Sequence, residues 1–255
     1  MTASLTIIRY KKRFIPFALL AMAIHRFPLW FNKKITFWKL LGCGNNGSFD
    51  KTPDWQQWGV MTVRSVESGS QELGVGSQES EVQSSKLRTP NSELNKLYGN
   101  FIARWLRFFG CETWTVILIP IEGHGLWDGK KVFGELPVKS DHEGQVAILT
   151  RATIRVSKLK SFWKHVGGVA SKMDGSKGFI TSIGIGEIPW IKQATFSIWQ
   201  SKEDMKNFAY QMKEHKEVIV KTRTEKWYSE DMFVRFKIQE SMGTIKGINP
   251  LNGKL

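Results

Sequence analysis

Cysteine is scarce: Cys43 and Cys111 are the only two, far apart and outside any CxxC. That excludes a cysteine zinc site and a disulfide scaffold, and it fits a reducing compartment such as the cytoplasm. Each thiol reads first as a small buried hydrophobe rather than a thiolate haem ligand. No HExxH helix is present, which argues against a zinc hydrolase. No Ser-His-Asp or Cys-His arrangement can be read from spacing. Glycine pairs occur, but Gly184-x-Gly186 runs into Glu187, Ile188 and Pro189 and then a strand. No helix N-terminus is there to meet a dinucleotide phosphate, so a tight turn or bulge is the better reading. Zinc-finger spacing and RNP-type aromatic strands are missing too, and no nucleic acid is expected as a partner.

The apolar run FIPFALLAMAI, residues 14–24, is too short to span a membrane. It follows Lys11, Lys12 and Arg13 and contains Ala21-Met22-Ala23, which resembles a signal-peptidase site. Residues 5–10 (LTIIRY) ahead of it read as a strand, not a polar leader. A strand followed by a buried helix is therefore expected.

The 255 residues include 41% apolar ones, with eleven Trp and sixteen Phe. This suffices for one large or two small cores, and large aromatics also line pockets for apolar ligands. The net charge of +14 favours anionic partners: nucleic acid, acidic proteins or a membrane surface. The lysines are spread along the chain rather than massed in one block.

Hydrophobic periodicity predicts the order strand, helix, strand, strand, helix, strand, twice over. The first set is strands 5–10, 36–41, 58–63 and 113–119 with helices 14–28 and 92–108, Ser92 serving as N-cap. The second is strands 147–156, 179–185, 194–199 and 232–238 with helices 158–172 and 202–226. Ser201 opens the last helix in a capping box with Asp204. Leu41-Gly42-Cys43-Gly44 ends the second strand of the first set, and Ile183-Gly184-Ile185-Gly186 ends its counterpart. The pattern implies an α+β fold of tandem duplicated ferredoxin-like (βαββαβ) units forming a pseudo-twofold α+β barrel. The units are residues 1–122 and 145–240. A Ser/Gln/Glu/Gly-rich insertion at 65–91 is expected to be disordered, and 241–255 to be a loose tail.

His215 falls on an apolar helical stripe with Met205, Phe208, Met212 and Ile219. It reads as a core histidine or as a neutral imidazole ligand to metal or haem. His165, near Trp163, is the second choice. Arg151 and Arg235 lie on strands that neighbour each other in a ferredoxin-like sheet. They are expected to converge on the face away from the helices, either holding a haem propionate or forming an internal salt bridge such as Arg151 with Glu187.

Ordered strings along most of the chain are FWKLLGCG (37–44), ETWTVIL (112–118), LTRATI (149–154), GFITSIGIGEIP (178–189), QATFSIW (193–199), FAYQMKEHKEVI (208–219) and KWYSEDMFVRF (226–236). Together they resemble the spheroidene monooxygenase family of carotenoid oxygenases. The resemblance implies an oxygenase acting at the terminal C2 position of an acyclic carotenoid, giving a hydroxyl and then a ketone. It also implies haem with His215 as axial ligand. A separate electron donor such as an acidic ferredoxin, a cytoplasmic location and peripheral membrane contact are further expectations. The insertion and the strong positive charge depart from the family pattern and leave the pigment open. The rival readings are a non-catalytic haem- or apolar-ligand-binding barrel and a basic nucleic-acid-associated protein.

Overall fold

The structure is a computed structural model that describes residues 1–45, 52–65, 90–211, 221–222 and 224–251. The described residues form eight strands: β1 (Thr2–Arg9), β2 (Phe37–Gly44), β3 (Pro53–Arg64), β4 (Glu112–Gly125), β5 (Val146–Ile154), β6 (Phe179–Ile188), β7 (Lys192–Trp199) and β8 (Tyr228–Gly243). They close a barrel in the order β1-β3-β2-β6-β7-β5-β8-β4. Every neighbouring pair is antiparallel. Within it the first four strands run β4-β1-β3-β2 and the last four β8-β5-β7-β6. The helices are α1 (Ile15–Ile24), α2 (Arg26–Phe31), α3 (Pro90–Tyr98), α4 (Asn100–Phe108), α5 (Leu159–Met173) and α6 (Lys202–Gln211).

β1 shows why these segments are strands buried on both faces. Ala3, Leu5 and Ile7 enter the barrel interior, whereas Ile8 packs into the layer under the helices. Ser4 and Thr6 share that outer face, and their hydroxyls are satisfied there. Ser4 bonds Thr62 at 2.7 Å, and Thr6 bonds Tyr98 at 2.6 Å and Thr115 at 2.8 Å, so burying them costs little. Side chains fill the interior, among them Trp114, Leu118, Phe196 and Phe236. Each contributes roughly 1.5–3 kcal/mol by leaving water. Phe236, fully buried, is the kind of position where truncation to Ala costs about 3–5 kcal/mol. The segment between β4 and β5 closes one end of the barrel: Trp127, Val132 and Phe133 join the interior cluster.

Several elements differ from the sequence expectation. The helix expected over 14–28 is α1 plus α2, with His25 at the junction. It is not a buried helix: only Ala18, Ala21, His25 and Leu29 of residues 11–31 are buried. The whole run Lys12–Phe31 is long and apolar enough to cross a membrane by length and composition, unlike residues 14–24 alone. The helix expected over 92–108 is α3 plus α4, because Gly99 takes φ +84 between them, a region only glycine enters at no cost. Ser92 therefore lies inside α3. The tail from residue 241 is not loose as far as residue 251. β8 continues to Gly243, paired with Trp114, and Glu112 accepts hydrogen bonds from the backbone N–H of Lys246 (2.8 Å) and Gly247 (2.5 Å). By contrast the Ser201 cap forms: its hydroxyl accepts from the Asp204 N–H at 3.0 Å and donates to the Asp204 carboxylate at 2.7 Å, so that the carboxylate takes the Ser201 hydroxyl where a capping box would take the Ser201 backbone N–H. Most of the insertion, residues 66–89, lies outside the described residues.

Candidate functional site

Arg151 sits on the inner face of β5 with its side chain 1% exposed. The guanidinium bonds Glu187 Oε1 at 3.1 Å, Glu230, and Asp128 Oδ1 at 3.4 Å. It stacks on the Trp127 ring, 5.2 Å from its centroid, and the Trp127 indole N–H donates to the same Glu187 oxygen at 2.8 Å. Lys39 bonds Asp128 and Glu187 (2.6 Å), and Lys192 bonds Asp128 at 2.6 Å. Three cations thus meet three carboxylates at one end of the barrel. Burial pushes Asp128 up, but hydrogen bonds from Lys192 and Lys39 outweigh it and hold its pKa down at about 2.

Arg235 lies elsewhere. Arg151 stands opposite Met232 in the β5–β8 register, whereas Arg235 stands opposite Ile148, which packs in the layer under the helices. Its neighbour Phe233 packs in that same layer, so Arg235 faces the helices and Arg151 faces the interior. The guanidinium bonds Glu122, which also accepts from the backbone N–H and hydroxyl of Ser140, each at 2.8 Å. Burial raises the Glu122 pKa, and these bonds more than reverse it, to about 2. The expected convergence of Arg151 and Arg235 does not occur. The salt bridge of Arg151 with Glu187 does, and both arginines are already neutralised.

Among the histidines, His215 lies outside the described residues. His165 on α5 is half-buried. Its Nδ1–H donates to the Ser161 carbonyl at 2.8 Å, leaving Nε2 as an acceptor 3.3 Å from the Lys221 ammonium. The ring rests against Trp227, with centroids 5.6 Å apart. Both ring nitrogens are thus used within the protein, Nδ1 on a carbonyl and Nε2 on an ammonium. His25 is buried against Trp105 and Phe101 edges, and burial alone lowers its pKa to about 4. Both cysteines behave as hydrophobes: burial pushes each thiol up to about 12. No cluster of three or more His, Cys, Asp or Glu suited to a metal ion occurs among the described residues.

A cavity of about 200 Å³ opens where the barrel-closing segment meets β4 and β8. It is lined by His124, Lys131, Phe133, Glu135, Met232 and Val234 among others. This is smaller than most pockets for drug-sized ligands, and the barrel interior is filled. Sequence reasoning missed the roles of Trp127, Asp128, Lys39 and Lys192. Their only signal was Gly129 after Asp128, a turn signature.

No family model matches the chain. It is 30% identical to spheroidene monooxygenase of Cereibacter sphaeroides across 92% of the chain and 65% of that protein. It is 29% identical to spheroidene monooxygenase of Rhodobacter capsulatus across 99% of the chain and 96% of that protein. Among solved structures it resembles aldoxime dehydratase in complex with butyraldoxime: TM-score 0.58, 9% identity, 98% of this chain and 84% of that one. That structural likeness speaks for the fold alone. The sequence matches alone carry the assignment: this chain belongs to the spheroidene monooxygenase family.

Proposed function

We propose that the protein is a monooxygenase that oxidises a carotenoid, at the terminal C2 position of an acyclic chain such as spheroidene, first to a hydroxyl and then to a ketone. The observation that carries this reading is the match to spheroidene monooxygenase along 99% of the chain. Because the chain spans 65% of the Cereibacter sphaeroides relative, the activity of that whole protein is carried over only as this proposal.

Haem is the proposed cofactor, with His215 as the residue that would hold its iron. His165 does not offer itself for this role, because its Nε2 lies 3.3 Å from the Lys221 ammonium, and the support for haem is the family resemblance carried by the residues around His215. A single protein imidazole suits haem because the porphyrin supplies the four other bonds. Haem, when bound, supplies the redox chemistry that activates dioxygen. The chain's own part is to hold the iron, exclude water and orient the substrate. Propionate contacts by Arg151 and Arg235 are not carried forward, since both are paired with carboxylates.

Inserting one oxygen atom of dioxygen into a C–H bond leaves the other to be reduced to water. The electrons are proposed to come from a separate acidic ferredoxin meeting the +14 surface. A cytoplasmic location is proposed. The halves are further proposed to descend from one duplicated unit related by a pseudo-twofold axis, supported by their common strand order. Superposition of β1–β4 on β5–β8 with strands out of register would overturn that.

The test of function is pigment analysis of a carotenoid-producing host with and without the gene. An oxygenated pigment that depends on the gene is expected, and unchanged pigments would overturn the proposal. An absorption spectrum after haem reconstitution, repeated for His215→Ala and His165→Ala, tests the cofactor. A colourless wild type overturns haem. Haem bound with pigments unchanged selects the non-catalytic binding protein.

A further inference from the structure

The α1–α2 stretch turns the usual arrangement of a surface helix inside out. The residues it buries are Ala18, Ala21, His25 and Leu29, a narrow stripe at helical spacing of which two of the four are alanine. Its large ones face outward: Phe17, Leu20, Phe27, Trp30 and Phe31 are exposed, Trp30 by 77% and Phe31 by 76%. α4 continues the same surface. Phe17 packs on Phe109 with centroids 4.8 Å apart, and Phe109 packs on Phe108 at 5.0 Å. Phe108 is 82% exposed, and Phe101, beside His25, is exposed too. Isolated exposed apolar residues need no explanation, but this many exposed large side chains on the adjoining helices α1, α2 and α4 mark an interaction site.

Charge decides what covers it. Residues 1–49 contain no Asp or Glu but eight basic residues: Arg9, Lys11, Lys12, Arg13, Arg26, Lys33, Lys34 and Lys39. Residues 94–111, which include α4, likewise have no carboxylate and carry Lys96, Arg104 and Arg107. Lys11, Lys12 and Arg13 stand just before α1, Lys33 and Lys34 just after α2, and Arg104 and Arg107 on α4; all are exposed. A second copy of the chain would bring an equally basic face against this one, and like charges oppose such a pairing. A signal-peptide role conflicts with the fold, because cleavage after Ala23 would remove β1 from its place between β3 and β4.

We propose that the α1–α2–α4 face docks on an anionic lipid bilayer. The helices lie along the surface, with Phe17, Leu20, Phe27, Trp30, Phe31 and Phe108 at the boundary between headgroups and acyl chains and the lysines and arginines among the phosphates. The stretch does not cross the bilayer, because its Ala18–Ala21–Leu29 stripe is already bound to the barrel. The inference stands apart from the proposed oxygenase activity, though it would place the protein where an apolar carotenoid dissolves.

The test is flotation of the full chain with vesicles of phosphatidylcholine alone or mixed with phosphatidylglycerol. Binding to the anionic vesicles is expected, weakened by raised salt. Each of Lys12→Gln and Lys33→Gln should weaken it by roughly fivefold, and Trp30→Glu with Phe31→Glu by more than about tenfold. These positions are exposed, so thermal unfolding should stay unchanged. A second measurement does not depend on charged variants: brominated acyl chains should quench tryptophan fluorescence in the wild type more than in Trp30→Phe. Absence of binding to anionic vesicles, equal binding by the variants, or equal quenching in Trp30→Phe overturns the proposal. So does a wild-type dimer in sedimentation that Trp30→Glu with Phe31→Glu dissociates, which would assign the face to a second copy. Pigment production plays no part in these readouts, so they can fail while the oxygenase reading stands.

Discussion

Two seams join the halves of the barrel, and they are built differently. β4 and β8 pair at eleven positions, from Trp114 opposite Gly243 to Gly125 opposite Met232. β2 and β6 pair at two, Gly42 opposite Gly186 and Cys43 opposite Ile185. The long seam relies on backbone hydrogen bonds, each of small net value but many in number. At the short seam the missing ladder is offset by side chains. Lys39 on β2 reaches Glu187 on β6 at 2.6 Å, and Asp128 ties Lys39 to Lys192 on β7. Arg151 anchors the carboxylates from inside. The comparison teaches that a barrel can close through charged side chains where its strands barely meet, provided that every charge is paired in the low-dielectric surroundings.

The largest expected effect breaks the side-chain closure. Arg151→Ala leaves Glu187 and Glu230 without their buried partner and should cost about 3–5 kcal/mol in denaturant unfolding. A loss below about 1 kcal/mol would mean that the short seam holds without the network. Next is the pair of glycines at that seam. A Cβ on Gly186 would stand 2.9 Å from the Lys192 carbonyl oxygen, whereas the nearest atom to one on Gly42 is the Gly186 oxygen at 3.9 Å. Gly186→Ala should therefore cost about 1–3 kcal/mol, and Gly42→Ala should stay within about 0.5 kcal/mol of wild type. Equal losses would refute the geometric account.

Hydrogen exchange then sharpens the contrast. Of the amides at Gly42 and Cys43, the one directed at β6 should exchange at least about tenfold faster than whichever of those at Leu118 and Ile119 is directed at β8, because the short ladder opens locally before the long one. The reverse order would overturn the ranking of the seams.

The smallest effect is on acid stability. Glu122 at the long seam is held at about 2 against a usual 4.5, and Asp128 at the short seam at about 2 against 3.8. A depressed carboxylate contributes stability that is complete above its unfolded value and is lost as pH falls through the folded one. Both contributions should fade between about pH 4.5 and 2. Asp128, more exposed, is the more screened by water. Glu122→Gln should be less stable near neutrality, because Arg235 loses its partner, yet flatter with pH in that window. An unchanged acid profile would show that Glu122 is not titrating there.

The element order was legible because it is a local property. A period of two marks strands, a period near 3.6 marks helices, and S-K-E-D at residue 201 opens a helix by its own hydrogen bonds. The Leu-Gly-Cys-Gly and Ile-Gly-Ile-Gly strand ends were legible as similar strings, but not as partners: they meet at the short seam. Arg151 and Arg235 show why the site was harder. In this barrel both faces of a strand are buried, one inside and one under helices, so alternation alone does not say which face is which. Val234 and Phe236 read like a helix-facing pair, yet they point inward, which turns Arg235 to the other side.

The residue order by itself determined the strand and helix sequence, the family strings, the basic balance and the scarcity of cysteine. Each follows from neighbours in the chain or from simple counts. Only the tertiary structure decided that the two sheets join edge to edge, that Trp127 and Arg151 seal one end, and that α1–α2 turns its aromatics outward. Those outcomes depend on which distant surfaces meet. A carboxylate at residue 187 pairs with a lysine at 39 only after the barrel closes, and the apolar stretch at 14–31 stays largely exposed because it buries only the narrow stripe Ala18, Ala21, His25 and Leu29.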